Sequence, residues 1–195
     1  MAYEGLHFVS NEKLPHLGGN IAEGDPHTFA PNVWQYLIER FALTSVLDLG
    51  SGIGYSSHYF HKKGLKVIAV DGLYENIQHA IYPTIQMDLT KQSIHCQVDL
   101  VHCQEVVEHI EEKYIENLLQ SLANGRIIVM TNALPGQSGH HHVNEQETEY
   151  WIEALKQYNC HLLHEDTHRI RRIAETEGAE FLAKTGTVFA NNSRL

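Results

Sequence analysis

The sequence predicts an α/β fold: a central, mostly parallel seven-stranded sheet with an antiparallel edge strand and helices on both faces. Three observations predict it. Short apolar runs of strand length alternate with stretches of helical periodicity between residues 31 and 136, the pattern of βαβ units. The first of those runs ends in a glycine cluster, Gly50-Ser51-Gly52-Ile53-Gly54. Two further short runs follow the five alternating ones, which fits an antiparallel edge on a parallel sheet.

Each element has its own signal. Residues 1–30 are rich in Gly, Pro and His and lack periodicity, so they read as an arm or lid, with residues 31–195 forming a single domain. Pro31 suits a first helical turn, and Val33, Trp34, Leu37, Ile38 and Phe41 follow at helical spacing. Ser45 to Leu49 reads as a buried strand, and Tyr55 to Lys63 as a helix closed by Gly64. Leu65 to Val70 is a second strand ending at Asp71, Thr84 to Met87 a third, and Val98 to Cys103 a fourth. Glu111 to Ala123 places Tyr114, Ile115, Leu118, Leu119 and Leu122 on one helix face; Asn124-Gly125 stops it, and Arg126 to Thr131 is the fifth strand. Gln137 to Asn144 is a polar, His-rich loop, and Asn144 with Glu147 reads as a capping pair before a helix through Tyr158. His161 to His164 is the sixth strand, Ile170 to Lys184 a helix, and Thr185 to Ala190 the last strand. Trp34, Tyr36, Tyr150 and Trp151 fall at helical spacing and read as core.

Composition bounds the function. The 195 residues are 43% hydrophobic and 19% charged, which excludes a disordered, collagen-like or coiled-coil chain. The formal net charge of −10 argues against a nucleic-acid partner, whose phosphates need clustered Lys and Arg; the densest basic run is only Arg169-Ile170-Arg171-Arg172. Protonating all 15 His moves the charge to +5, so the electrostatics change sharply between pH 7 and pH 5. Cys96, Cys103 and Cys160 form neither a disulfide framework nor a zinc motif. The first residues lack a basic start and an apolar run, and no apolar stretch approaches the roughly 20 residues of a membrane span. These features predict a soluble, cytoplasmic protein without a membrane partner.

The glycine cluster carries the chemistry. Asp48-Leu49-Gly50-Ser51-Gly52-Ile53-Gly54 follows the first buried strand and opens a helix, where glycines let the backbone turn sharply and approach a ligand. A dinucleotide fold needs G-x-G-x-x-G at this point. Here the spacing is G-x-G-x-G and Tyr55 stands where the third glycine is wanted, which disfavours an NAD-dependent dehydrogenase. The carboxylate of Asp48 repels an anion and attracts an ammonium group, so the ligand reads as a cationic nucleoside. Asp71, 17 residues beyond Gly54, is placed to accept both ribose hydroxyls. Asp88-Leu89 ends the third strand, where an acid can accept from an exocyclic adenine amine.

The segment VLDLGSGIGYSSHYFHKKGLKVIAVDG, extended by VDLVHCQEVVEHI, resembles the cofactor site of class I S-adenosylmethionine-dependent methyltransferases, which are Rossmann-like. The likeness covers about Thr44 to Thr131. It implies S-adenosylmethionine as methyl donor, with Asp48, Gly50, Ser51, Gly52 and Gly54 at the methionine part, Asp71 and Gly72 at the ribose, Asp88 and Leu89 at the adenine, and Gln104 as the contact after the fourth strand.

Just past that strand lies Gln104-Glu105-Val106-Val107-Glu108-His109. On a helical turn, Glu105, Glu108 and His109 share one face at i, i+3 and i+4. Two carboxylates and an imidazole converge at low cost only around a cation, and oxygen and nitrogen donors suit Mg²⁺, Mn²⁺ or Fe²⁺. The run is similar to one in ubiquinone-biosynthesis O-methyltransferases and in 2′-O-methyltransferases of small-RNA 3′ ends. In the latter a His from a later loop completes the set, a place His142 fits. Without a cation, His109, His141 or His142 can serve as general base for methyl transfer to a hydroxyl. The expected acceptor is a small molecule or sugar. The alternatives are metal-dependent RNA 2′-O-methylation and a non-catalytic S-adenosylmethionine-binding partner protein.

Overall fold

The computed structural model describes residues 5–194; residues 1–4 of the expected arm and Leu195 lie outside them. In chain order the elements are β1 (Phe8–Val9), β2 (Asn20–Ile21), α1 (Pro31–Phe41), β3 (Ser45–Leu49), α2 (Tyr55–Lys62), β4 (Lys66–Asp71), α3 (Tyr74–His79), β5 (Thr84–Gln86), β6 (Val98–Cys103), α4 (Ile115–Leu122), β7 (Gly125–Met130), α5 (Thr148–Lys156), β8 (Cys160–Leu162), α6 (His164–Glu177), α7 (Glu180–Thr185) and β9 (Thr187–Asn191).

Seven strands form one sheet in the order β5-β4-β3-β6-β7-β9-β8. β3 pairs in parallel with β4 and β6, and β6 with β7. The strand that runs against the rest is β9, antiparallel to β7 and to the edge strand β8. The chain therefore reverses direction in the sheet on either side of β3, so the carboxyl ends of β3, β4 and β6 flank the crevice where open α/β sheets bind ligands.

Alternation along the strands divides the core. Val46, Leu100, Ile127, Val129 and Val188 face α1, α2, α6 and α7. Leu47, Leu49, Val101, Cys103, Ile128, Met130 and Phe189 face α4 and α5. This two-residue period buries both faces of the sheet. Trp34 and Trp151 are fully buried, one in each layer.

Helix α1 covers Pro31–Phe41, as expected, and is closed by Ala42, whose left-handed backbone returns its N–H to Ile38 O. Other boundaries depart from the sequence expectation. The single helix expected over Ile170 to Lys184 is two: α6 begins earlier, at His164, and ends on Gly178 at φ +78°, a left-handed cap that turns the chain into α7. Asn144 does not cap α5. It is buried with its Nδ2 donating to Ile110 O, and Glu147 takes the N-cap place without a side-chain bond. Helix α3 and the β1–β2 pair have no counterpart in the expectation.

The arm lies across the sheet's ligand-binding end. His16 donates to Asp88, Asn20 Nδ2 donates to Asn76 Oδ1 at 2.7 Å, and His140 of the His-rich loop bonds Pro15 O at 3.0 Å. Leu17 sits against Gly72, where a Cβ would come within 2.4 Å of its methyl.

Candidate functional site

The glycine turn is held from below. Gly50 and Ser51 donate their N–H groups to Val70 O at 2.8 and 3.0 Å, which ties the turn to the end of β4. Gly50 is at φ +69°, and a Cβ there would stand 2.2 Å from Val106 Cγ2. Gly50→Ala is therefore expected to destabilise the fold by about 2–4 kcal/mol: left-handed strain of about 1–2 kcal/mol plus overlap with a stiff β-branched side chain. Chemical denaturation checks it, and a second change, Val106→Ala, should recover only the overlap part.

Asp71, at the tip of β4, is buried and accepts three N–H bonds. Gly52 N donates to Oδ2 at 2.8 Å; Leu73 N and Asn76 Nδ2 donate to Oδ1 at 2.9 and 3.0 Å. Burial still dominates and raises its pKa to about 6.

Asp48 also borders the cavity at this end of the sheet, and both its oxygens have partners within the chain. Ser56 and Ser57 donate to its Oδ2 at 2.6 and 2.5 Å, and His102 Nδ1 donates to its Oδ1 at 2.7 Å. Trp34 Nε1 in turn donates to His102 Nε2 at 3.3 Å. An indole can only donate, so Nε2 is the acceptor and the proton of His102 sits on Nδ1, toward Asp48. Despite desolvation, His102 and the two serines hold Asp48 below the usual carboxylate range. Asp48 thus braces the start of α2 with Oδ2 and ties to β6 through Oδ1. His102 and Trp34, which complete this chain, had no sequence signal beyond apolar context.

These groups border one cavity of about 440 Å³ at the carboxyl ends of β3, β4 and β6, roofed by the arm. Gly50, Ser51, Gly52, Gly54, Asp71, Gly72, Leu89 and Gln104 all line it, together with Glu105, His109 and His142. Three expected residues do not: Asp88, His141 and the fully buried Glu108. Asp88 is engaged by Thr90, His16 and Lys91, and Met87 and Leu89 border that end instead. His141 also lies off the cavity lining, its ring 6.5 Å from that of His16.

The cluster after β6 is not one helical face. Glu105 has left-handed backbone at φ +54°, and the following 3₁₀ turn covers only Val107–His109. The Glu105 carboxylate accepts from Thr131 Oγ1 at 2.8 Å and neighbours that of Glu108, but it is not in the group whose ligand atoms can share an ion. Among the described residues that group is Glu108, His109 and His142, whose ligand atoms lie within 4.8 Å of one another. Both oxygens of the buried Glu108 carboxyl lack hydrogen-bond partners, as does His109 Nδ1. Burial first, and Glu105 second, push Glu108 well above the ordinary carboxyl range. Burial likewise lowers His109 to about 4, so its imidazole is neutral at pH 7 with a lone pair to offer. His142 is oriented by Gln137 O, 2.8 Å from its Nδ1, which leaves Nε2 for a ligand. An unpartnered buried carboxyl beside two imidazoles fits a divalent cation.

A sheet of this order with a glycine turn after its central strand defines a Rossmann-like, class I S-adenosylmethionine-dependent methyltransferase. The family model described as a methyltransferase domain matches residues 22–184, and the chain belongs to that family. It is 30% identical over 116 residues to a ubiquinone biosynthesis O-methyltransferase of Rickettsia typhi, covering 50% of this chain and 47% of that one. It is 29% identical over 142 residues to the protein of the same name in Rickettsia canadensis, covering 62% and 60%. The chain thus spans about half the length of the curated relatives it matches. Among solved structures, the magnesium protoporphyrin IX methyltransferase of Synechocystis PCC 6803 with bound SAM shares the fold at TM-score 0.55 and 18% identity, over 67% of each chain. No helix among the described residues is long and apolar enough to cross a membrane.

Proposed function

We propose that this chain transfers the methyl group of S-adenosylmethionine to a hydroxyl of a small molecule or sugar, with a divalent cation at Glu108, His109 and His142. The observation that supports it best is the one cavity that joins the glycine turn and Asp71 to His109 and His142, with the buried Glu108 carboxyl within 4.8 Å of both rings' ligand atoms. The relatives named above as O-methyltransferases support a hydroxyl acceptor.

The donor, when bound, supplies an electrophilic methyl on a sulfonium. Asp71 holds its ribose from the tip of β4. Methyl transfer is an in-line displacement, and most of the catalytic help comes from positioning the acceptor oxygen. Glu108, His109 and His142 would hold a Mg²⁺, Mn²⁺ or Fe²⁺, which would supply Lewis acidity toward the acceptor hydroxyl. His109 and His142 would serve as ligands to the cation, and His109, neutral at pH 7, could instead act as proton acceptor. The arm, residues 5–30, acts as a lid: with His16 and His140 as its latches it excludes water from the reacting pair.

Methyl transfer to a panel of phenols and sugars, followed as S-adenosylhomocysteine release, tests this. Turnover is expected to cease with a chelator and return with Mg²⁺, Mn²⁺ or Fe²⁺. Turnover indifferent to chelator removes the cation and leaves His109 as base. No release with any acceptor makes the chain a non-catalytic binder, and salt-dependent turnover on RNA alone moves the acceptor to a 2′-hydroxyl.

A further inference from the structure

His102 is held between two partners. It is buried on β6, with Nδ1 2.7 Å from Asp48 Oδ1 and Nε2 3.3 Å from Trp34 Nε1. A histidine beside a buried carboxylate ordinarily takes up a second proton, because the opposite charge favours the imidazolium. Here that proton has no place. Nε2 is the one site left for it, and Nε2 already accepts from an indole, which can only donate. Protonation would set one N–H against another. Trp34 is itself buried, with the Phe29 ring edge-on at 5.3 Å and the Tyr59 and Phe60 rings at 5.2 and 5.9 Å, so the indole is fixed in this pose.

The arrangement sets a charge. With His102 neutral, the Asp48–His102 pair keeps the one negative charge of its carboxylate; with an imidazolium the pair would be neutral. Asp48, His102 and Trp34 all border the cavity. The other titratable groups about the pair are Asp71 at the tip of β4, Cys103 and Glu105 at the end of β6, and Tyr59 of α2. From α6 and α7 the same layer receives Ile170, Ala174 and Leu182. None of these is cationic.

We infer that Trp34 is a positioning residue: its N–H locks His102 as the neutral Nδ1–H tautomer, so that Asp48 presents an uncompensated negative charge to the cavity and favours the cationic sulfonium donor over its uncharged thioether product. This rests on the donor assigned above. It gives the site a physical basis for exchanging product for fresh donor.

Nitrogen-edited NMR of the full chain reads the lock in the parent, independently of any variant's folding. His102 should be the neutral Nδ1–H form at pH 5, and should be protonated there in Trp34→Phe. Calorimetry reads the role, as the ratio of S-adenosylmethionine to S-adenosylhomocysteine affinity, in which contacts common to both cancel. At pH 5 that ratio in Trp34→Phe should fall about 3–30-fold below the parent's, the size expected of one charge acting across a partly screened cavity. At pH 8 the two ratios should agree. Adding His102→Gln to Trp34→Phe should restore the parent's ratio at pH 5, because a carboxamide donates to Asp48 and takes up no proton. An imidazolium at His102 in the parent at pH 5 overturns the inference. So does a ratio that is the same in parent and variant at both pH values, or one lowered equally at both. A parent chain that binds neither nucleoside overturns the donor assignment and this role with it, whatever the His102 spectrum shows.

Discussion

Asp71→Ala is expected to weaken S-adenosylhomocysteine by at least about 100-fold, and Asp71→Asn by about tenfold. Two ribose hydroxyls donating to one carboxylate are each worth roughly 1.5–3 kcal/mol, and about 1.4 kcal/mol is tenfold in affinity. The alanine also strands three donors, on Gly52, Leu73 and Asn76, so part of its effect is a loosened glycine turn. The asparagine keeps an acceptor there and isolates the charge.

The same carboxylate sets a pH dependence of definite sign. Its pKa in the fold is raised from 3.8 to about 6, by burial above all. Between those values the folded chain binds a proton that the unfolded chain has released, so the stability contributed by this group falls as pH rises from about 4 to about 6. Ligand binding runs the other way. Ribose hydroxyls donate to the ionised form, so affinity for S-adenosylhomocysteine should rise about tenfold from pH 5 to pH 7 and then level off. Calorimetric titrations across that range decide it. A flat profile in the parent, or the same slope in Asp71→Asn, places the linkage elsewhere.

The parts of this molecule that were legible in its sequence are those coded within a few residues. Ser45 to Leu49 followed by three glycines at alternate positions announces a buried strand and a ligand turn, because apolar continuity and positive-φ residues are local demands. The parallel order around β3 followed from the same alternation. What escaped depends on partners distant in sequence or on exact turn geometry. Whether Asp48 offers a free oxygen is decided by His102, 54 residues away. Asp88 is withdrawn by His16, 72 residues away, in an arm whose two-residue strands carry no periodicity. Glu105 was expected on a helical face with Glu108, but a left-handed residue precedes a 3₁₀ turn there, so the i, i+3 rule does not apply. His142, the loop histidine expected beside Glu108 and His109, does lie within reach of both, its ring held by Gln137 O five residues back.

Glu108→Met is expected to stabilise the protein while abolishing turnover, an opposition that separates a functional carboxyl from a structural one. The side chain is fully buried, and neither of its oxygens has a partner. Its backbone C=O already accepts from Val143 N and Asn144 N at 3.0 and 3.1 Å, bonds that the substitution leaves intact. Replacing an unsatisfied buried acid by an apolar side chain of similar volume removes a penalty of about 1–3 kcal/mol. For a chain of this size that raises Tm by about 2–12 °C, at 2–4 °C per kcal/mol. Glu105→Met should do the reverse, since the Glu105 carboxylate has a partner in Thr131 that the change would strand. The two carboxyls also differ toward metal. Mn²⁺ should raise the Tm of the parent, because a ligand of the folded state stabilises it by mass action, and should leave Glu108→Met unmoved. Paired thermal scans with and without Mn²⁺ read both effects at once. A Glu108→Met protein less stable than its parent would mean that the carboxyl is satisfied within the fold, and the case for a cation there would fall with it.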